Sequence, residues 1–129
     1  MSYYFSTTVK GQDFDQVVKQ VTDELKKEGF GILTEIDVKE TLKNKINVVF
    51  KKYKILGACN PHFAYKSLSL EDKIGVFLPC NVVVEENNGS IEVSAVDPVA
   101  SMTSVKNKSL EDIAGEVREK LKRVIGNMN

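Results

Sequence analysis

The chain has 129 residues, 42% of them hydrophobic and 28% charged, with 18 basic and 18 acidic side chains. That length fits one domain, large enough to bury a core without a disulfide or a metal to hold it. The zero formal charge argues against general affinity for nucleic acid or for an anionic membrane surface, since both rest on a positive field.

The start, MSYYFSTTVK, lacks the charged segment and apolar run of a signal peptide. No apolar stretch approaches the roughly 20 residues that a membrane span needs. The chain therefore reads as a cytoplasmic protein. In that compartment its two cysteines, Cys59 and Cys80, are expected as thiols rather than as a structural bridge.

Ser2 to Val9, aromatic and β-branched with hydroxyls between, predicts a strand. A helix follows from about Asp13 to Glu28, because Phe14, Val17, Val18, Val21 and Leu25 recur at helical spacing. Lys26 and Lys27 suit its negative end, and Gly29 suits a left-handed stop. Phe30 to Asp37 predicts a second strand, with Phe30, Ile32, Thr34 and Ile36 on one face and Leu33, Glu35 and Asp37 on the other. A short helix to Ile46 is expected next, capped by Asp37 in a box-like pattern with Glu40, with Val38, Leu42 and Ile46 on one side.

Tyr53 to Cys59 predicts the third strand. Asn60-Pro61 is a helix start, because asparagine caps free amides and proline suits the first helical position. That helix is expected to reach about Leu70 with Ala64 and Leu68 inward. Val76 to Glu86 predicts a fourth strand interrupted by Pro79, which implies an edge or a bulge because proline cannot donate to a ladder. Asn87-Asn88-Gly89 signals a hairpin into a fifth strand, Ser90 to Asp97, which Pro98 ends. Val99 to Asn107 predicts a loop. Ser109, with Asp112 three places on, predicts the cap of a last helix whose apolar face is Leu110, Ile113, Val117, Leu121 and Val124. No repeat, low-complexity tract or linker interrupts this series.

Strand, long helix, four strands, long helix, with two short helices around the third strand, predicts an α+β two-layer sandwich. A mainly antiparallel five-stranded sheet would carry both long helices on one face. The other face would be open to a partner or ligand.

The segments ILTEIDVKETLK, YKILGACNPHFAYKSL, GVFLPCNVVVEE and VSAVDP together resemble a bacterial and archaeal family, domain-of-unknown-function family 302. The likeness runs from about Phe5 to Ile125. It implies a sandwich of TATA-binding-protein-like topology and brings no established activity. The positions that match its motifs are Glu35, Asp37, Cys59, Asn60, Pro61, Pro79, Cys80, Asn81, Asp97 and Pro98. Where the family pattern carries a methionine pair after Asp-Pro, this chain has Met102 alone, beside Ser101.

Cys59, His62 and Cys80 offer two thiolates and an imidazole, a donor set that suits zinc. The spacing lacks a Cys-x-x-Cys pair, and both thiols are also expected as small buried hydrophobes. Cys59 precedes a helix N-terminus, where amides and dipole favour a thiolate. His62 or Cys80 could then support nucleophilic or reversible disulfide chemistry. Asn60 and Asn81 read either as caps of local backbone or as the lining of a ligand pocket. Glu35, Asp37 and Asp97 could serve as acids, bases or cation ligands, yet capping and turn chemistry also account for Asp37 and Asp97.

The basic run Arg118, Lys120, Lys122 and Arg123 is matched by nearby Glu111, Asp112, Glu116 and Glu119, a solvated face. No phosphate-binding glycine loop and no Gly-x-Ser-x-Gly elbow is present. The expectation is a small-molecule-binding or sensory module, homodimeric through its open sheet face, with a polar pocket near Cys59, Asn60 and Cys80. A thiol-dependent enzyme using Cys59, or a zinc-binding protein, is the alternative.

Overall fold

The computed structural model describes residues 2–129. The hydroxyl and aromatic run at the start forms β1 (Tyr4–Val9). Asp13 then caps α1 (Phe14–Lys27) reciprocally with Gln16. Val17, Val21 and Leu25, one helical stripe, are fully buried. Removing each such side chain from water contributes about 1.5–3 kcal/mol, so the stripe holds α1 to the sheet. Gly29 ends the helix at φ +88°, where a side chain would be strained. Beside it Glu28 accepts from Arg123, which keeps its carboxyl below the ordinary range.

β2 (Gly31–Asp37) carries an irregularity between Ile32 and Thr34. Leu33 is the extra residue, so the faces exchange there. Ile32 pairs with Ala58 of the covered face, whereas Thr34 pairs with Gly57 and Ile36 with Ile55 of the open face. The simple alternation expected for this strand therefore holds only up to the bulge. α2 (Val38–Ile46) is capped by Asp37, which accepts from the Glu40 amide at 3.0 Å. No residue of α2 is buried.

β3 (Tyr53–Cys59) leads through the Asn60 cap into α3 (Pro61–Leu70). Ser67 is the buried residue of α3, while Leu68, expected inward, is exposed. Asp72–Phe77 forms a 3₁₀ turn, and a cis Leu78–Pro79 bond precedes β4 (Cys80–Asn87). The expected strand from Val76 thus begins four residues later. It is no edge: β4 lies between β3 and β5 (Ser90–Val96). Pro79 sits outside the ladder, so its missing N–H removes nothing from it. Asn88 and Gly89 both take positive φ, 51° and 83°, as the tight hairpin turn requires.

The segment expected as a loop holds α4 (Pro98–Ser101), capped by Asp97. The cap of α5 (Lys108–Gly126) is Asn107, not Ser109. All strand pairs are antiparallel in the order β1-β5-β4-β3-β2. α1 and α5 lie together against one face of this sheet, with Leu56, Val82, Val84, Val93 and Leu121 wholly buried between the layers. The α+β two-layer sandwich is the architecture expected. Among the described residues no helix is long and apolar enough to cross a membrane.

Candidate functional site

The two Cys-Asn segments meet at one end of the sheet. Ala58 is the ladder partner of Cys80, and Cys59 and Cys80 border the same cavity, walled by Phe30, Phe63, Pro79, Met102, Ile113 and Val117. The two thiols are not bonded. Cys80 shares the covered face with Ala58, and Cys59 follows Ala58 by one place. Burial pushes the Cys80 thiol up to about 11, and the neighbouring Cys59 adds to the rise. Cys80 is therefore protonated at neutral pH and a poor nucleophile.

The cavity is too small and too dry for the pocket expected there. Its volume is ≈ 30 Å³, room for about two waters. The lining is mostly hydrocarbon, not polar. Asn60, its most polar wall, is already used: Nδ2 donates to the Glu28 carbonyl at 3.3 Å, and Oδ1 accepts from the Phe63 amide at 3.5 Å. Among the described residues no buried side-chain nitrogen or oxygen lacks a partner, so no orphaned group there calls for a ligand.

The other expected residues are dispersed. His62 is exposed on α3 and does not border the cavity. Among the described residues no three His, Cys, Asp or Glu side chains gather as a metal site, so Cys59, His62 and Cys80 do not form one. Glu35 is exposed and accepts from Lys54 at 2.8 Å, which raises the Lys54 pKa. Asp37 caps α2. Asp97 is buried, accepts from the Val99 and Ala100 amides, and meets Arg118 at 3.2 Å. β5, which ends beside Asp97, is separated from β2, which bears Glu35 and Asp37, by two strands. The three acids do not converge.

Asn81 falls on the opposite side of the sheet from Cys80. It borders a groove of ≈ 380 Å³ on the open face, within the range of small-molecule sites. The ladder sets out that face in rows. Ser6, Ser94, Val83 and Ile55 form a low middle row. Thr8, Glu92, Glu85 and Tyr53 form the row on one side, and Tyr4 and Val96 stand on the other. Val83 and Ser94, shorter than the tyrosines on either side, lie between Tyr4 and Tyr53 in the trough. Burial raises the Tyr53 pKa, as does the charge of Glu85, and Tyr3 is near enough to contribute.

Tyr3, Tyr4, Tyr53, Glu85, Glu92 and Ser94 were not singled out by sequence reasoning. The hairpin signal contained the missing step. A two-residue turn at Asn88-Gly89 makes Asn87 and Ser90 partners, and counting back in twos sets Glu85 opposite Glu92.

Comparison with solved structures finds the crystal structure of an uncharacterised conserved DUF302 protein from Bacillus stearothermophilus. It is 26% identical to this chain, with a TM-score of 0.93 and full coverage of both chains. No curated protein matches the chain. The family described as Domain of unknown function DUF302 matches residues 5–128. Sequence motifs, fold and comparison agree, and the chain belongs to the DUF302 family.

Proposed function

We propose that the protein is a small-molecule-binding module whose site is the groove on the open sheet face. The supporting observation is size: the groove, at ≈ 380 Å³, is roomier than the cavity between Cys59 and Cys80, ≈ 30 Å³, and than the clefts of ≈ 260–280 Å³ elsewhere on the surface, one of them beside Cys80 and Asn81. The groove is also the place where polar groups of two adjacent strands, Asn81 and Glu85 of β4 and Glu92 and Ser94 of β5, converge beside apolar and aromatic side chains. The amide NMR spectrum, recorded against a library of small cationic, anionic and neutral fragments, tests this reading. Shifts are expected at Asn81, Val83, Ser94 and Val96. A Ser94→Phe variant, which fills the floor, should abolish them. Shifts confined to the Cys59–Cys80 end, or none at all, would refute the groove.

The second reading is a homodimer. It is favoured by exposed apolar side chains on β2, α2 and the segment after it. Leu33 is 67% exposed, Ile46 63% and Val49 81%. Exposed apolar patches of this kind mark association surfaces. This surface adjoins the groove without filling it, because the Phe50 ring lies 6.1 Å from that of Tyr53.

A further inference from the structure

We infer that the open-face groove recognises a small organic monocation, an ammonium carried on a compact apolar body. This inference rests on the groove being the binding site. Its first ground is the opposition of Glu85 and Glu92, direct ladder partners on the open face. Like charges facing each other across strands are destabilising, so a cation beside the pair is stabilised by it. Lys51 supplies only part of the countercharge. Its ammonium binds Glu85 at 2.7 Å and also Asn87 at 2.6 Å, which anchors it at the hairpin end of the sheet. Glu92 makes no ion pair among the described residues. Two carboxylates and one ammonium leave one negative charge in the groove wall.

The second ground is aromatic. Tyr3, Tyr4 and Tyr53 all border the groove; the Tyr53 ring already faces the Lys51 ammonium at 5.9 Å, while the Tyr3 and Tyr4 rings meet edge to face at 5.0 Å. Ring faces attract cations, and aromatic enclosures are the usual device for holding substituted ammonium groups. A carboxylate supplies charge while the rings supply an apolar, polarisable wall. A neutral ligand would use the rings and leave Glu92 unanswered, and an anion would be repelled by it.

Calorimetric titration of the whole chain with choline and with butylamine tests the inference. The controls are the neutral carbon isostere of choline and butanol. Each cation is expected to bind on the order of tenfold more tightly than its neutral counterpart, and added salt should reduce the difference. Glu92→Gln should remove the preference while leaving the neutral compounds unaffected. That variant relieves a repulsion, so its thermal midpoint should not fall, and lost binding cannot be ascribed to unfolding. Cations and neutral compounds binding equally well would overturn the cation inference and leave the groove standing. If none of the four binds while the fragment library still shifts the groove amides, the inference falls alone. Silence in both experiments removes the groove as well.

Discussion

Cys80 illustrates how a residue's surroundings decide its chemistry. It is 8% exposed, and burial disfavours its thiolate. The folded thiol loses its proton near 11 rather than at 9.0. Between these values the unfolded chain has shed a proton that the folded chain still holds, so stability falls as pH rises. The separation of two pH units corresponds to about 2–3 kcal/mol. Denaturant titrations of the native protein and of Cys80→Ala should therefore differ in slope over this interval. The variant, less stable at neutral pH because a buried sulfur is gone, should lose less on going alkaline. Parallel curves would show that the thiol is hydrated. The paired Cys-Asn dipeptides suggested one shared site, and the segments do meet. Period-two alternation, equally readable in the sequence, places Cys80 and Asn81 on opposite faces of the sheet.

Among the elements, α5 shows where local signals stop being sufficient. Asn107 and Ser109 both present a capping oxygen ahead of the same apolar stripe. Asn107 prevails because its side chain does two things. Oδ1 accepts from the Leu110 amide at 3.3 Å, and Nδ2 donates to the Leu70 carbonyl at the end of α3 at 3.1 Å. That second bond joins elements distant in the chain, so no local pattern contains it. Asn107→Ala is expected to lower unfolding free energy by about 1–2 kcal/mol. Ser109→Ala should change it by less than about 0.5 kcal/mol. Urea midpoints of the two variants measure the difference, and equal effects would contradict the assignment of the cap. The strands and both long helices were legible because their periods persist over many residues. The start of β4 was not, because Val76 and Phe77 look strand-forming but belong to a 3₁₀ turn packed on α3. The α2 stripe of Val38, Leu42 and Ile46 was read correctly as a helix, but it carries no buried residue.

At the scale of the molecule, that stripe, half-buried at Val38 and Leu42 and exposed at Ile46, adjoins the edge of the sheet. The β2 bulge disturbs the ladder next to the free edge, which discourages strand-to-strand pairing with another chain. Association through side chains remains open, and Leu33, Ile46 and Val49 are the exposed apolar groups available for it. A second copy covering them would remove their hydrocarbon from water at about 25 cal/mol per Å². Assembly of this kind depends on concentration. Sedimentation at micromolar concentration is expected to give twice the 14.4 kDa chain mass. The double variant Ile46→Lys, Val49→Asp should sediment as a single chain. Because both side chains lie outside the core, unfolding of the separated chains should be little changed, within about 0.5 kcal/mol per site. A native protein already monomeric at that concentration refutes the dimer. A variant that stays dimeric moves the contact elsewhere, and the open face is then the remaining broad uncovered surface. In that event two copies would shut the trough between Tyr4 and Tyr53, and the fragments that bind the monomer would compete with the partner. Ligand-dependent sedimentation would then separate a groove that binds small molecules from one that binds its own copy.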